Sequence, residues 1–303
     1  MEKIVSTVPP SYLWLLNPDA EGELAAKNSY TVKSAFVRRI SERKTLFDEL
    51  LQGDDSLFSH QDKKELCLYS GRRALCWSPT PLVVHLAQAA GLLVPKFPDV
   101  KILKRVFDKR FISNHLQSLV ITGRTIIETQ HDWVQFQSAN TGVYRLKRPY
   151  GYAGKGQRLW SRDGSKDDKR WLADSLRQGG FIAEKNLTNV SEYSIHGFVD
   201  ERGIILGKPC HLRTDAYSAP TSIEALTKSE LEAPHFLSLS TLATKSAQAL
   251  HAAGYFGPFG LDVLEKEGKL ALIDLNPRFT LGWSQGMGAL REDALGRALA
   301  PLT

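Results

Sequence analysis

Residues 272–278 combine an apolar run with polar side chains that could do chemistry at its end. The run contains Asp274, Asn276 and Arg278, and its apolar residues predict a β-strand. Side chains two positions apart share one face of a strand, so the Asp274 carboxylate and the Asn276 amide are expected to point the same way. Such oxygen donors suit Mg²⁺ beside substrate phosphates.

A second strand is predicted at 257–263, and it carries another acid, Asp262. The polar segment 265–268 is typical of a hairpin turn, which would place Asp262 opposite Asp274. Together with Asn276 these residues offer three oxygen donors without histidine or cysteine, a set that favours Mg²⁺ or Mn²⁺ over Zn²⁺. The alternative is a solvated hairpin with ordinary surface acids.

A glycine-rich segment, 150–157, follows a predicted strand at 143–149. Its glycines would let backbone N–H groups approach a polyphosphate closely. Lys147 precedes the segment and Lys155 lies within it. The segment matches neither a Walker loop nor a Rossmann fingerprint, because the required spacing is absent. By itself it also fits an ordinary turn.

The order of these features resembles the ATP-grasp superfamily, which includes D-alanine–D-alanine ligase, glutathione synthetase and biotin carboxylase. Lys109 comes first, followed by Lys147 with its glycine loop, then by Glu184 and Glu192, and finally by the metal donors. The resemblance covers roughly residues 100–290. Its motifs are individually modest but specific in combination.

The resemblance implies an ATP site. Lys109 and Lys147 would bind phosphates, and the loop 150–157 would close over them. The segment 184–187 would be a hinge whose backbone and acid read the adenine edge, and Glu192 would accept the ribose hydroxyls. The implied nucleotide-binding residues are Lys109, Lys147, Gly151, Gly154, Lys155, Gly156, Glu184, Lys185, Leu187 and Glu192.

The resemblance also implies a catalytic centre. Asp262, Asp274 and Asn276 would bind Mg²⁺, with Mn²⁺ as an alternative, and Arg278 would steady the transferred phosphoryl group or an acyl phosphate. The middle ligand is often glutamate in this superfamily, so the shorter Asp274 puts bidentate binding or a second ion in doubt. Phosphoryl transfer needs positioning and charge neutralisation more than covalent help, and these groups supply both.

The acceptor side depends on fewer residues. Residues 203–215 predict one strand with a polar end, from which Arg213 is a candidate to clamp a substrate carboxylate. His196 is a candidate for the same cleft, and the loop 284–288 for one of its walls. A surface ion pair for Arg213 and a satisfied buried histidine are the alternatives.

The alternation of elements predicts an N-terminal α/β domain, and the resemblance implies an α/β (α+β) protein with the ATP-grasp fold in three parts. These are an N-terminal α/β domain with a parallel sheet at 1–100, a small lid subdomain at 101–187 and a C-terminal mixed-sheet subdomain with the metal site at 188–303. The predicted helices include 31–51, 81–90, 101–117, 166–178 and 237–253, and the predicted N-terminal strands are 11–16 and 74–77.

Composition limits the class of protein. The chain has 303 residues, 42% of them hydrophobic and 24% charged, which is typical of a soluble globular protein. It lacks a signal-peptide core and any apolar run near the ~20 residues that span a bilayer. Three scattered cysteines, Cys67, Cys76 and Cys210, predict free thiols in a reducing cytoplasm, with a reactive Cys210 as the alternative.

The net charge of +6 is concentrated in part at 101–110 and 145–155, which coincide with the expected phosphate sites. ATP therefore explains the excess more simply than nucleic acid does. The function that the resemblance implies is an ADP-forming ligase that joins a small carboxylate to an amine, such as an amino acid or peptide-like substrate, with a homodimer compatible with the sequence. The alternatives are an ATP-dependent phosphotransferase or carboxylase-like enzyme, and a non-catalytic ATP-binding regulator.

Overall fold

The structure of the chain is a computed structural model that describes residues 12–26, 30–32, 50–51, 55–59, 62–152, 155–162, 166–214, 220–232 and 234–299. Within these ranges, no helix is both long and apolar enough to cross a membrane. Most of the predicted helix 31–51 lies outside the described residues.

The N-terminal part is a small parallel α/β layer, as the alternation of its elements predicts. Its strands pair in the order β2-β1-β3, and they are β1 (Leu13–Leu16), β2 (Ser56–Ser59) and β3 (Ala74–Cys76). Its helices are α1 (Ala20–Ala25), α2 (Lys63–Leu66) and α3 (Pro81–Ala89). All four residues of β1 are buried, as expected for a central parallel strand that packs on both faces.

The predicted helix 101–117 is divided into two shorter helices. These are α4 (Val100–Phe107) and α5 (Arg110–His115). Asp108 leaves the helical conformation with ψ 118°, and the Lys109 N–H donates to the Pro149 carbonyl at 2.9 Å. The Asp108 carboxylate accepts from the Arg110 N–H at 2.9 Å, which satisfies a free donor at the start of α5. The prediction of one continuous helix was wrong. The break at Asp108 depends on contacts such as the one with Pro149, which the sequence of the helix itself does not record.

The middle part, in its described residues, is a four-stranded antiparallel sheet with the order β4-β7-β5-β6. Its elements are β4 (Thr125–Ile127), α6 (Gln130–Ala139), β5 (Tyr144–Tyr152), β6 (Lys155–Trp160), α7 (Lys166–Arg177) and β7 (Phe181–Lys185). Aromatic side chains fill its core: Trp133 packs edge-on against Trp160 and Phe181, with ring centroids 4.9 and 5.5 Å away.

The predicted glycine loop 150–157 forms the end of a hairpin, because β5 and β6 extend into it from either side. The pairing of β5 with β6 becomes irregular after Lys147. Gly156 has φ +77°, and a Cβ there would lie 3.1 Å from the Gly151 Cα, so this close approach of two backbones requires glycine. Gly154 lies outside the described residues.

The C-terminal part is built on a larger sheet with the order β11-β10-β8-β12-β13, and β9 pairs with β8. Its strands are β8 (Ser191–Asp200), β9 (Gly203–Leu206), β10 (Cys210–Thr214), β11 (Pro220–Ala225), β12 (Gly257–Lys266) and β13 (Lys269–Asn276). Its helices are α8 (Lys228–Leu231), α9 (Pro234–Ala252), α10 (Trp283–Met287) and α11 (Arg291–Leu299). The described ladders are antiparallel, and a parallel bridge joins Val120 to Leu272.

The predicted strand 203–215 is wrong as a single element, since β9 and β10 are separate strands. Between them the Gly207 N–H donates to the His196 carbonyl, and the Lys208 N–H donates to the Gly286 carbonyl, each at 2.8 Å. Pro209 follows and has no N–H for a ladder. The chain is thereby diverted toward α10 before it re-enters the sheet.

Alternation along β8 divides the large sheet into a core face and a cavity face. Tyr193 and Ile195 pack in the main hydrophobic core together with the helix α9. Ser194 and His196, which alternate with these two residues along the strand, line a cavity on the opposite face. The same cavity face continues onto the neighbouring strand β12 at Asp262, which pairs with Ser194.

Candidate functional site

Asp262 and Asp274 are direct partners across β12 and β13, as expected from the sequence. Next to them Val263 pairs with Leu272, so Ile273 is an extra residue without a partner on β12. Such a bulge shifts the alternation of side chains. Leu272 packs in the main core, whereas Asp274, two residues later, lines the cavity. Without the bulge, Asp274 would share the core face of Leu272.

The three predicted metal donors lie together on this face. The Asn276 Nδ2 donates to Oδ2 of Asp262 at 3.3 Å. Burial, followed by the charge of Asp274, raises the pKa of the Asp262 carboxyl to about 7. Burial also acts to raise the pKa of Asp274, but the positive charges of Lys109 and Lys147 outweigh it and hold that pKa below its usual value.

The chemistry of this donor set fits Mg²⁺ or Mn²⁺. In the described part of the chain, no three His, Cys, Asp or Glu side chains cluster as a metal site. An ion between Asp262 and Asp274 would therefore take further ligands from the Asn276 amide, water and substrate phosphates, which is a common arrangement for Mg²⁺. The ion would also relieve the repulsion between two neighbouring carboxylates.

Lys109 forms an ion pair with Asp274, with its Nζ 2.6 Å from Oδ1 and 2.5 Å from Oδ2. Both peptide groups of Lys109 are fixed by distant residues. Its N–H donates to the Pro149 carbonyl at 2.9 Å, and its carbonyl accepts from Nη2 of Arg124 at 3.1 Å. The break between α4 and α5 thus directs this lysine at the metal-donor strand.

Glu184 holds two buried cations. Its Oε2 accepts from Nη1 of Arg124 at 2.6 Å, and its Oε1 forms an ion pair with Lys147. Both cations also donate to the carbonyl of Ile273, the bulged residue, at 3.3 and 3.2 Å. Burial lowers the pKa of Lys147, and the Glu184 charge opposes that shift. Both Glu184 oxygens face cations rather than an open base site, so its role toward adenine stays a prediction.

Arg124 was not anticipated from the sequence. Its side chain is 0% exposed and also donates to the Ser113 hydroxyl at 2.8 Å, so it links the segment after α5 to β7 and β13. An arginine next to a glycine in a polar turn has no distinguishing pattern. Only its burial identifies it as part of the site.

A cavity of about 290 Å³ lies over this sheet face and brings most of the predicted site residues together. The predicted nucleotide-binding residues that line it are Lys109, Lys147, Gly151, Gly156, Glu184, Lys185, Leu187 and Glu192. The predicted metal donors and the predicted catalytic arginine that line it are Asp262, Asp274, Asn276 and Arg278. The backbone of Lys155 lies at the start of β6, and its side chain lies outside the described structure.

Arg278 is fixed from three sides. Its Nε donates to Oε1 of Glu21 at 3.0 Å, its Nη2 to Oδ1 of Asn276 at 3.2 Å, and its Nη1 to the Phe279 carbonyl at 3.0 Å. The guanidinium also lies over the Trp77 ring, 5.3 Å from its centroid. Glu21 and Trp77, both from the N-terminal part, were not anticipated from the sequence.

The structure does not bring Arg213 to the cavity. Leu212 lines it, and the next residue of a strand points to the other face. The Arg213 side chain is 60% exposed and pairs with Glu224 across β10 and β11 at 3.5 Å. A clamp by this arginine stays an untested prediction.

Burial raises the pKa of the Cys210 thiol to about 11, which argues against a reactive thiolate there.

Comparison with known proteins supports the fold. No protein-family model and no curated protein sequence matches the chain. Among solved structures, a biotin carboxylase complex from Campylobacter jejuni superposes with a TM-score of 0.64 at 13% identity, over 97% of this chain and 72% of the other. An N5-carboxyaminoimidazole synthetase from Staphylococcus aureus complexed with ADP gives 0.56 at 10% identity, over 97% and 79%.

D-Alanine–D-alanine ligase from Helicobacter pylori gives a TM-score of 0.51 at 11% identity, over 71% of this chain and 68% of the other. All three solved proteins are ATP-grasp proteins. The chain therefore has the ATP-grasp fold, an α/β architecture with several sheets, and the resemblance seen in the order of its motifs is confirmed.

Proposed function

We propose that this chain is an ATP-dependent ligase that activates a small carboxylate as an acyl phosphate and joins it to an amine, with release of ADP. The observation that carries the proposal is the convergence of oxygen donors and cations from separate segments on one cavity. These residues are Lys109, Lys147, Asp262, Asp274, Asn276 and Arg278. The ATP-grasp fold supports it, since the solved structures that share the fold include a ligase, a carboxylase and a synthetase.

In the proposed reaction, an oxygen of the substrate carboxylate attacks the γ-phosphorus of ATP, and the bond to the β,γ-bridging oxygen breaks to release ADP. The amine nitrogen then attacks the acyl carbon, loses a proton, and displaces inorganic phosphate. Lys109 and Lys147 neutralise phosphate charge, and Arg278 stabilises charge on the transferred group. When bound by the donor set, Mg²⁺ would supply further neutralisation and hold the phosphates in line.

The test uses hydroxylamine in place of the amine, because it converts any acyl phosphate to a hydroxamate. The protein is incubated with MgATP, hydroxylamine and a panel of carboxylic acids, and hydroxamate and ADP are measured. Equal amounts of both, dependent on one class of acid, are expected. A stable phosphorylated product without hydroxamate would instead indicate a phosphotransferase. No stabilisation of the protein by millimolar MgATP in a thermal scan would exclude a working nucleotide site.

A further inference from the structure

Two polar side chains on β8 are buried in the cavity wall without hydrogen-bond partners. Oγ of Ser194 and Nε2 of His196 have none among the described residues, and each residue is 2% exposed. They lie two positions apart on the cavity face of the strand, and Ser194 is the direct neighbour of Asp262 on β12. Buried polar groups are normally satisfied, so two unsatisfied ones in the wall of one cavity point to a ligand.

The imidazole of His196 is held in one orientation. Its Nδ1 is 2.9 Å from the Thr280 hydroxyl. A Cβ at Gly282 would come within 2.9 Å of Nε2, and a Cβ at Gly286 would overlap the ring, so the two glycines pack directly against it. Burial lowers the pKa of His196 to about 3, which keeps the ring neutral at neutral pH. Nε2 is therefore a single donor or acceptor in the wall of the cavity, next to Gly282.

Aliphatic side chains also line the cavity near this histidine. Leu212 and Ile223 are partners across β10 and β11, a Cβ at Gly282 would meet both Ile223 and His196, and Leu281 is a further lining residue. The nearby cation Arg278 is already bound by Glu21. Apart from Arg278, the described residues beside Ser194 and His196 supply no cation, and Asp262 supplies a carboxylate.

We propose that this end of the cavity, the β8 subsite (Ser194, His196, Leu212, Ile223 and Leu281), binds the end of the carboxylate substrate remote from its reacting group. That end is an uncharged hydroxyl or carboxamide on a short aliphatic chain. The inference rests on the proposed ligase function and adds to it the class of acid that is activated.

The choice of a hydroxyl or carboxamide follows from the two unsatisfied atoms. The Ser194 hydroxyl both donates and accepts, and Nε2 of His196 does one or the other according to its tautomer. Hydroxyl and carboxamide groups also do both, so either satisfies the pair. A carboxylate would be buried here with no cation other than Arg278, which Glu21 already binds, and an apolar end would leave both protein groups unsatisfied.

The experiment measures hydroxamate formation with MgATP, hydroxylamine and matched pairs of amino acids as the acid. The pairs are threonine against valine, asparagine against aspartate, and glutamine against glutamate. For at least one pair, the uncharged polar member is expected to have a kcat/KM at least about tenfold higher, the scale of a hydrogen bond made or lost in a site built for it.

Two variants test the residues themselves. Ser194→Ala should raise KM for the preferred acid several-fold and leave KM for ATP unchanged. His196→Leu should remove the preference within each pair, whereas His196→Gln, which keeps an amide in reach of the cavity, should retain part of it. Ser246→Ala is the matched control, because this serine is also fully buried but its hydroxyl already donates to the Leu242 carbonyl at 2.9 Å.

The outcomes separate this inference from the proposed function. If the uncharged polar acid is preferred in none of the three pairs, the inference is overturned and the ligase proposal still stands. An unchanged preference in both Ser194→Ala and His196→Leu would do the same. Stabilisation by MgATP without hydroxamate from any of these acids would also overturn the inference. Loss of the MgATP response itself would overturn both.

Discussion

Lys109 and Asp274 neutralise each other: both oxygens of the carboxylate lie within 2.6 Å of the lysine Nζ, on the strand that carries the proposed metal donors. The lysine is also a proposed ligand of ATP phosphate, and the carboxylate is a proposed ligand of Mg²⁺. Binding of a metal ion to Asp274 would free Lys109 to bind phosphate. Binding of phosphate to Lys109 would likewise free Asp274 to bind a metal ion. Because such coupling is reciprocal, ATP and Mg²⁺ should each increase the affinity for the other.

The first prediction concerns Asp274→Asn. The change is nearly isosteric and removes the counter-charge of Lys109, so ATP affinity in the presence of EDTA should be retained or increased. The gain in affinity on adding Mg²⁺ should shrink, and turnover should fall by about 10²-fold, the scale for loss of one preorganised electrostatic group. Calorimetric titration with ATP, with and without Mg²⁺, and the hydroxamate assay measure both effects.

The control for this variant is Asp293→Asn, which changes an aspartate whose side chain is 59% exposed on α11. It should behave as the wild type in both assays. Full hydroxamate formation by Asp274→Asn, or unchanged Mg²⁺ dependence of ATP binding, would show that this carboxylate does not serve the metal.

The second prediction concerns Glu184→Gln. Removing this charge leaves Arg124 and Lys147 buried without their shared carboxylate, which should cost about 3–5 kcal/mol of unfolding free energy. MgATP should restore part of the loss, because phosphates supply negative charge next to Lys147. Urea unfolding with and without MgATP measures this. The control is Glu128→Gln, which removes an exposed acid from an ion pair and should cost at most about 1 kcal/mol of unfolding free energy. Equal losses in the two variants would contradict the prediction.

The metal-donor hairpin was predictable because its signals are local. Alternation of apolar and polar residues and a glycine-containing turn are enough to predict the hairpin that carries Asp262 and Asp274, but the bulge is what makes the two acids direct partners. The bulge at Ile273 was not predictable. Its carbonyl is bound by Lys147 and Arg124, more than a hundred residues earlier in the chain, and periodicity does not record such contacts. The correct face for Asp274 was inferred without the feature that produces it.

The sequence predicts that Arg213 lies on a strand, but it does not show which face of the sheet its side chain occupies. The face is decided by register with β8 and β11, which puts Leu212 toward the cavity and leaves Arg213 exposed. Glu21 and Trp77 were missed for a related reason. Both belong to the N-terminal part and reach Arg278 only because the separate parts of the chain pack together.

The third prediction concerns Glu21→Gln. Glu21 touches no reacting atom in the proposed reaction, and it acts by holding Nε of Arg278 at 3.0 Å. Without the ion pair the guanidinium should be less well positioned, so kcat in the hydroxamate assay should fall roughly tenfold, about 1.4 kcal/mol of transition-state stabilisation, with little change in KM for ATP. Glu65→Gln, at an exposed position on α2, is the control. A rise in KM for ATP with unchanged kcat would contradict a positioning role.

The last prediction concerns acid stability and His196. Burial lowers the pKa of this histidine to about 3, whereas in the unfolded chain it should be near the ordinary value of about 6.5. Above pH 6.5 the ring is neutral in both states and the folded protein has its full stability. Below it the unfolded chain gains a proton that the folded protein does not, so stability is lost as the pH falls toward 3.

The measurable consequence is a pH-dependent difference between the wild type and His196→Gln, which cannot gain this proton. From pH 7.5 to 5.5, the unfolding free energy of the wild type should fall by about 1.4 kcal/mol more than that of the variant. Urea unfolding at both pH values measures the difference, and His131→Gln, at an exposed position on α6, serves as the control for substituting a histidine. Parallel pH profiles for the wild type and His196→Gln would mean that His196 takes up a proton as readily in the folded protein as in the unfolded chain, and would contradict the prediction.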